Sequence, residues 1–387
     1  MHIVEIPSFF PPYGGEFCLE QSKALARRGH KVSILANVQL SVRRSMREFL
    51  TMPYGKEILE MEGVRVERRY MRGLPKSARP NAERWVRRVE RMFDEYVEAN
   101  GVPDIIHAHC AKWGGQAAMI ISKRYHIPYV VTEHLSYEVF ASEFTEHDDA
   151  WQIPVLKRVY AEADMVVTVS DELVDNLSPL FGKDYRHTTI SNTVDTEFFK
   201  YNPRVLGDGH TFTFCCLANF WPLKRYDVLL EAFSRLPEDT SLLIAGRGTD
   251  NRDFRALLSK YPCASRVKAL GRIEKPSVRD VLYASDCLVL ASESESQGLC
   301  LVEAMSTGIE TIATDAIPQN VSRYEGCHTV PVGDVKALAE QMKAVMSVRN
   351  VDGRQFSEAI DKDFSPQVIG EKLENLFLEI KNRRAES

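Results

Sequence analysis

A glycine flanked by two glutamates is the first feature of this chain that could do chemistry. Glu295 and Glu303 stand on either side of Gly298 in SESESQGLCLVEAMSTG (292–308). The preceding CLVLAS predicts a strand, and LCLVEAM predicts a helix that begins after the glycine. The N–H groups at a helix start suit a phosphate, and carboxylates accept hydrogen bonds from hydroxyl groups. The pattern indicates a site for a phosphorylated, hydroxyl-rich ligand, and solvated acidic side chains are the alternative.

A basic pair is the second candidate group. Lys224 and Arg225 follow a predicted strand and a proline in WPLKR. Lysine and arginine can stabilise a departing diphosphate without a metal ion. Plain surface charges are the alternative that the sequence leaves open.

Histidines and glycines stand where predicted strands end in the first half of the chain. His109 closes DIIHAH, His134 closes YVVTEH, and Gly14 with Gly15 follows the first strand, HIVEI. Ligands of parallel sheets bind beyond the carboxyl ends of the strands, so these residues are placed to meet one. Packed structural histidines and an ordinary strand-to-helix turn are the alternatives.

These residues need strands and helices to position them, and short apolar runs alternate with helical patterns along both halves of the chain. The predicted strands span residues 2–6, 31–36, 104–109, 129–134, 165–170, 211–218, 241–246, 266–271, 287–292 and 310–315. Such alternation predicts parallel sheets with helices on both faces. The expected fold class is therefore α/β, with two doubly wound Rossmann-like domains facing a central cleft.

The domain boundaries follow from one polar segment and one amphipathic segment. KYNPRVLGDGHT (200–211) is the predicted linker. We therefore expect an N-terminal domain over residues 1–199 and a second domain over 200–364. The last segment, 365–387, has apolar residues at helical spacing and is expected to pack back on the N-terminal domain.

Composition restricts the class of protein. The 387 residues carry a net charge of −5, which argues against a nucleic-acid partner. The eight cysteines have no C-x-x-C spacing, so they indicate buried free thiols and a reducing compartment. With no secretion signal or spanning segment in the sequence, we expect a cytoplasmic protein, either free or peripheral on the inner face of the membrane.

A basic stretch suggests the membrane contact. From Arg65 to Arg91 there are ten lysines or arginines against three acids, and ERWVRRVERMF interleaves arginines with apolar residues. A basic amphipathic helix suits an anionic membrane surface. We therefore expect residues 65–93 to face a membrane, with a solvated helix packed on its apolar stripe as the alternative.

Several of these segments together resemble glycosyltransferase family 4. ESQGLCLVEAM is similar to the family's E-x7-E signature, PPYGGEFCLEQSKALARRGHKVSIL to its glycine loop and first helix, and ISNTVDTEFF to its interdomain segment. LANFWPLKRYDVLLEAF resembles the basic donor loop, and AGRG and LGRI resemble loops around the nucleotide base. The resemblance runs nearly end to end and implies a GT-B fold and a retaining enzyme.

The resemblance also implies roles for the acidic segment. In the family, the first glutamate contacts the donor sugar and the second contacts the ribose, which here are Glu295 and Glu303. The turn from Gln297 through Gly298 to Leu299 would offer backbone donors to the phosphates or the sugar.

The resemblance extends to the other donor-side residues. Lys224 matches the lysine of the donor loop, whereas Asn219 stands where the family usually has an arginine, and Arg225 would compensate for that change. Gly246 and Arg272 lie in the loops expected around the base.

On the acceptor side, Gly14 and Gly15 would approach the donor phosphates, and a histidine would lie near the acceptor or the reacting carbon. His109 is the first choice for that histidine and His134 the second.

The resemblance implies a reaction that needs neither metal nor cofactor. A sugar would pass from a UDP- or GDP-sugar to a glycan, lipid-linked or small-molecule acceptor with retention, in bacterial polysaccharide or glycoconjugate biosynthesis. The D-x-D sequence from Asp361 to Asp363 is not at a strand end, so a metal site is not expected there. The alternatives are another GT-B sugar-nucleotide enzyme such as an epimerase, and a non-catalytic nucleotide-binding scaffold. A nicotinamide oxidoreductase is disfavoured because G-x-G-x-x-G is absent.

Overall fold

The computed structural model describes residues 1–42, 45–146, 150–203, 210–348 and 352–386. The chain forms two compact units: Met1–Thr193 with Pro366–Ser387, and Val194–Ser365. The boundary thus falls a few residues before the one expected at 199, because Val194 and Phe199 are buried in the core of the second unit. Residues 204–209 of the predicted linker lie outside the described residues.

The first unit is built on a twisted, mostly parallel sheet. Its strands are β1 (His2–Pro7), β2 (Lys31–Leu40), β3 (Lys56–Met61), β4 (Val64–Arg72), β5 (Ile105–His109), β6 (Tyr129–Glu133), β7 (Met165–Thr168) and β8 (His187–Thr189). Their order is β3-β4-β2-β1-β5-β6-β7-β8, and β3 is antiparallel to β4. Chain order reverses between β1 and β5, which makes that pair the topological switch point.

Helices cover both faces of this sheet. They are α1 (Glu16–Arg27), α2 (Met46–Thr51), α3 (Ala78–Asn100), α4 (Gln116–Tyr125), α5 (Tyr137–Glu146), α6 (Gln152–Glu162) and α7 (Glu172–Phe181). Side chains alternate along each strand, so Val4, Ile106 and Val131 share the core of α3, α4 and α6. Ile3, Ile105 and Val130 face the other way and pack with α1.

The basic stretch from Arg65 to Arg91 is two elements, a strand and a helix. Residues up to Arg72 form β4, and α3 buries its apolar stripe in the protein core: Trp85 is 1% exposed and Phe93 is 0% exposed. That stripe is therefore covered by protein, as in the alternative, and contact of residues 65–93 with a membrane stays a prediction. Within the described residues, every helix is too short or too polar to cross a bilayer.

The second unit has an all-parallel sheet. Its strands are β9 (Thr213–Leu217), β10 (Ser241–Ala245), β11 (Val267–Ala269), β12 (Cys287–Leu290), β13 (Glu310–Thr314) and β14 (Cys327–Val330). The helices are α8 (Tyr226–Phe233), α9 (Arg252–Leu258), α10 (Lys275–Tyr283), α11 (Leu299–Ser306), α12 (Gln319–Ser322), α13 (Val335–Ser347) and α14 (Arg354–Phe364). The strand order β11-β10-β9-β12-β13-β14 is the classical dinucleotide-fold order, with its switch point between β9 and β12.

A final helix, α15 (Pro366–Glu386), belongs to the first unit. Ile369, Leu373 and Phe377 are buried in the core that α1 shares. Gly370 permits close packing, because a Cβ there would lie 3.1 Å from the carbonyl oxygen of Ala24. Arg384 adds an ion pair with Asp164, with Nε and Oδ1 2.7 Å apart.

Candidate active site

The loops that follow β9 and β12 meet at the switch point of the second unit. The amide of Glu293 donates to the carbonyl oxygen of Leu223 at 2.8 Å. This backbone bond joins the loop that carries Lys224 to the loop that carries Glu295. Ligands of doubly wound sheets bind at this place, so both predicted residues stand where a ligand is expected.

Lys224 and Glu295 form an ion pair across these loops. The ammonium group contacts Oε1 of Glu295, and the two side chains are 18% and 11% exposed. Ser292 donates a hydrogen bond to the same oxygen at 2.7 Å. Burial lowers the pKa of Lys224, but the charge of Glu295 outweighs it and the pKa is raised. Lys224 is therefore a fixed positive charge in a partly desolvated position.

Gly298 turns the chain into α11 beside this pair. Its φ of 78° lies in the left-handed region, and a Cβ would meet Cδ1 of Ile317 at 2.5 Å. Both facts favour glycine. Gln297 is buried, Leu299 begins the helix, and Glu303 lies within it, partly buried. The structure thus places the whole predicted segment at one helix start, where backbone N–H groups are available.

Arg225 is held by a different set of acids. It has a left-handed φ of 42° and precedes α8. Its Nη2 donates to Asp227 Oδ2 at 2.8 Å, and its Nη1 contacts Glu293. The hydrogen bonds that Arg225 donates to Asp227 raise the pKa of Arg225. The guanidinium group is thus committed to Asp227 and Glu293, while Glu295 is paired with Lys224.

Asn219 holds two loops together. Its Oδ1 accepts a hydrogen bond from the amide of Arg247 at 2.9 Å. Gly246, next to Arg247, leaves no room for a side chain because a Cβ would lie 1.9 Å from the carbonyl oxygen of Ala218. The remaining predicted base-side residue, Arg272, is 39% exposed and lies 3.7 Å from Glu274.

The glycine pair of the first unit also follows a strand at a switch point. Gly14 and Gly15 have φ values of 97° and 85°. A Cβ on Gly15 would lie 2.1 Å from the carbonyl oxygen of Phe9, so only glycine fits before α1. Gly14 has open space around it, which is compatible with a ligand or with a plain turn.

A buried polar cluster occupies one face of the same sheet. Glu5 is in register with His107, and His109 is in register with Thr132. Residues in register on neighbouring parallel strands share a face, so the sheet itself brings these side chains together. Oε2 of Glu5 lies 2.8 Å from Nδ1 of His107 and 2.9 Å from Nε2 of His109. His134 completes the cluster, with its Nε2 3.1 Å from Nδ1 of His109.

Burial and mutual charge set the ionisation of this cluster. Burial raises the pKa of Glu5, but its contacts with His107 and His109 outweigh burial and lower it to about 2. Burial lowers the pKa of His109 to about 4, and burial also lowers that of His134. At neutral pH, Glu5 is a carboxylate and both of these histidines are neutral.

One group among the described residues could hold a metal ion: Glu5, His107 and His109. Their possible ligand atoms lie within 4.8 Å of one another. The D-x-D residues have other partners. Asp361 accepts a hydrogen bond from Thr196 at 2.5 Å, and Asp363 pairs with Arg323 at 2.7 Å.

A cavity of about 710 Å³ opens in the first unit, beside the start of α3. Lys76, Arg79 and Trp151 are among its lining residues. The Arg79 guanidinium lies 5.6 Å from the ring centre of Trp151, which stacks on Trp113 at 5.9 Å. A cationic rim beside an aromatic surface suits an anionic ligand with a flat or apolar face.

Comparison with known families identifies the chain. The family model described as Glycosyl transferase 4-like domain matches residues 14–193, and that described as Glycosyl transferases group 1 matches residues 211–347. The chain belongs to glycosyltransferase family 4.

Two relatives of this family 4 member share about a quarter of its residues over the matched segments. It is 26% identical to N-acetyl-alpha-D-glucosaminyl L-malate synthase of Bacillus anthracis, over 57% of this chain and 60% of the relative's length. It is also 26% identical to D-inositol 3-phosphate glycosyltransferase of Xylanimonas cellulosilytica, over 83% of this chain and 78% of the relative. The first match therefore spans less than two thirds of that relative.

Solved structures confirm the expected GT-B fold class. Sucrose-phosphate synthase from Thermosynechococcus elongatus superposes with a TM-score of 0.80 at 19% identity, covering 98% of this chain and 99% of that one. HepE of Anabaena in complex with UDP-glucose superposes with a TM-score of 0.72 at 16% identity, covering 98% and 100%.

Some residues of these sites were not predicted from the sequence. Ser292 is not recognisable from the sequence, because a serine in a polar loop carries no distinctive signal. Glu5 does carry a signal, because it lies inside the apolar run HIVEI. If that strand is buried, the carboxylate needs a charged or hydrogen-bonding partner. Its partners could have been sought among the strand-end histidines.

Proposed function

We propose that this family 4 member is a retaining glycosyltransferase that takes a sugar from a UDP- or GDP-sugar. The ion pair of Lys224 and Glu295, beside the start of α11, carries the proposal. It combines a fixed cation, a carboxylate and helix N–H groups at the switch point of a dinucleotide-type sheet. A sugar diphosphate presents matching groups: two phosphates for the cation and N–H groups, and hydroxyls for the carboxylates.

In the proposed reaction, the bond between the anomeric carbon and the diphosphate oxygen breaks, and the diphosphate keeps the electron pair. Lys224 and the N–H groups around Gly298 stabilise the developing negative charge. The acceptor oxygen forms the new bond on the same face, and its proton passes to the leaving phosphate. No side chain needs to become a covalent nucleophile, and we propose neither a metal nor another cofactor.

We place the acceptor in the cavity beside α3. The two relatives are named for L-malate and inositol 3-phosphate, which are both anionic. Lys76 and Arg79 line the cavity of this chain. An anionic small molecule, glycan or lipid-linked headgroup is the acceptor class that this charge favours, in polysaccharide or glycoconjugate biosynthesis of a bacterium. The eight free cysteines favour a reducing, cytoplasmic setting.

A thermal-shift panel of UDP-, GDP- and ADP-sugars tests the donor site. A ligand at 100 times its Kd adds about 2.7 kcal/mol of stability, so one donor should raise Tm by several degrees. Glu303→Ala should abolish the rise, because its carboxylate is proposed to hold the ribose. Glu340→Ala is the matched control, since Glu340 is 66% exposed on α13. If no sugar nucleotide raises Tm, the proposal fails.

Turnover then separates transfer from the alternatives. One alternative is a scaffold that binds nucleotide without reacting, and it rests on Asn219, which stands where related donor loops have an arginine. Products should be analysed with L-malate, inositol 3-phosphate and no acceptor. A new glycoside that forms only with acceptor supports transfer, whereas sugar isomers without acceptor indicate an epimerase. Binding without any turnover indicates the scaffold.

The acceptor site has its own test. Lys76→Ala should raise the acceptor KM about tenfold, as expected for one charge-assisted contact, and leave donor binding unchanged. Lys343→Ala, an exposed lysine on α13, is the control.

A further inference from the structure

We propose that Glu5 is a positioning residue that acts through His109 to present Nδ1 of His134 as a hydrogen-bond acceptor to a substrate hydroxyl. The role of the hydroxyl rests on the proposed transfer of a sugar. The orientation of His134 by Glu5 and His109 depends only on the geometry of the first unit.

The first link fixes the proton on His109. Oε2 of Glu5 lies 2.9 Å from Nε2 of His109, and both side chains are almost fully buried. A carboxylate can only accept hydrogen bonds, so Nε2 of His109 must carry the hydrogen. Since a neutral imidazole has one N–H group, Nδ1 of His109 is then an acceptor.

The second link fixes the proton on His134. Nδ1 of His109 lies 3.1 Å from Nε2 of His134. Because Nδ1 of His109 accepts, Nε2 of His134 must donate, and Nδ1 of His134 is left with a lone pair. His134 is 8% exposed, and its Nδ1 has no hydrogen-bond partner among the described residues. A buried acceptor without a donor is unfavourable, and an incoming O–H group would satisfy it.

Neighbouring groups hold this arrangement in place. The ring of Phe17 stacks on His134 with centroids 3.7 Å apart and planes 22° apart, which restricts rotation of the imidazole. In the part of the chain that the structure describes, the other titratable groups near Glu5 are His107 on β5 and Cys18 on α1. His107 is held from its far side by Thr132, with Nε2 and Oγ1 2.6 Å apart.

Nuclear magnetic resonance of the intact protein tests the chain of tautomers directly. Histidines labelled with ¹⁵N report which ring nitrogen carries the hydrogen, and His109→Gln and His134→Gln assign the two resonances. At pH 7.5 we expect the Nε2–H tautomer at both residues. An Nδ1–H tautomer or a charged ring at His134 would overturn the proposal.

Glu5→Gln gives the kinetic counterpart. Its amide can donate as well as accept, so His109 and His134 should populate both tautomers. We expect kcat to fall 10- to 100-fold, as for a misplaced active-site group, with the donor KM changed less than twofold. Thr132→Val is the matched control: it removes the bond to His107 but should leave the tautomers of His109 and His134 unchanged. An unchanged kcat in Glu5→Gln would contradict the proposal.

Three other outcomes are informative. The purified protein could contain stoichiometric Zn²⁺, and a chelator that removes the metal could also change the tautomers. That result would mean that Glu5 and His109 are metal ligands, and it would overturn the proposed relay from Glu5 through His109 to His134. The expected tautomers in a protein that turns over no sugar nucleotide would support the relay and refute the proposed function. The reverse result, normal turnover with the wrong tautomer, would refute the relay alone.

Discussion

Lys224 contacts the same carboxylate oxygen of Glu295 that accepts the hydrogen bond from Ser292. One oxygen therefore ties together the loops after β9 and β12. The lysine is held in place before any ligand arrives, so little ordering is left to do when a diphosphate binds.

Replacement of Lys224 should therefore be costly for the reaction. Lys224→Met keeps the length of the side chain and removes its charge, and we expect kcat to fall 10²- to 10³-fold, as for loss of one oxyanion donor. Arg225→Met is the comparison, and it should cost less than tenfold because Arg225 is committed to Asp227 and Glu293. Steady-state kinetics with the donor found in the thermal panel measures both. Equal losses in the two variants would argue against a special role for Lys224.

Gly298 offers a test of the turn into α11. Gly298→Ala must adopt a left-handed φ and displace Ile317, so we expect a loss of about 1–3 kcal/mol in the free energy of unfolding together with weaker donor binding. Gly333→Ala has a similar φ of 75° but no close neighbour, since the nearest atom is 4.0 Å away. Urea denaturation compares the two. If both variants bind the donor as tightly as the unaltered protein does, the turn at Gly298 does not contact the donor.

Much of this second-unit site is predictable from the sequence, because its chemistry is local. Glu295, Gly298 and Glu303 lie within one short segment, and strand periodicity places that segment at a carboxyl edge. The cluster of the first unit was only partly foreseen. Its histidines were visible at strand ends, whereas the role of Glu5 depends on the register of β1 with β5, which no short-range pattern records.

The basic stretch shows a different limit. An apolar stripe on a helix indicates that one face is buried but not what buries it, so a core and a membrane predict the same pattern for α3. Likewise, β4 was hidden by its arginines. Arg68 and Arg69 lie in that strand because they pair with Glu57 and Glu67, and neither pair is evident from spacing.

The buried cluster predicts loss of stability in acid. The pKa of His109 is about 4 in the folded protein against 6.5 ordinarily, so between these values the unfolded chain binds more protons and falling pH favours unfolding. The lowered pKa of Glu5, about 2, acts in the same direction below pH 4.5. One such group contributes about 1.4 kcal/mol per pH unit.

Chemical denaturation at pH 6.5 and pH 5 measures this effect. His109→Gln should reduce the change in unfolding free energy between the two pH values by about 1.5 kcal/mol, because the unfolded imidazole is already half protonated at pH 6.5. His187→Gln, at an exposed position, should leave it unaltered. An unaltered slope in His109→Gln would show that His109 is not the group that titrates.

Removal of α15 should destabilise the first unit and spare the second. A chain that ends at Ser365 loses four fully buried apolar side chains, Ile369, Leu373, Phe377 and Ile380, each contributing about 1.5–3 kcal/mol. We expect a separate, earlier unfolding transition in calorimetry for that truncated chain. Deletion of 385–387, which follow these four residues in the sequence, is the control. A single unshifted transition would mean that α15 adds nothing to the core of α1.

The position of α15 also has a consequence for biosynthesis. The ribosome makes the strands of the first unit before it makes the second unit, and it makes the helix that closes one of their faces after it. Before α15 is made, the segment from Val194 to Ser365 can emerge and complete its own core. The first unit still exposes the apolar surface that α15 will cover. The unit that is translated first is thus the one that finishes folding last.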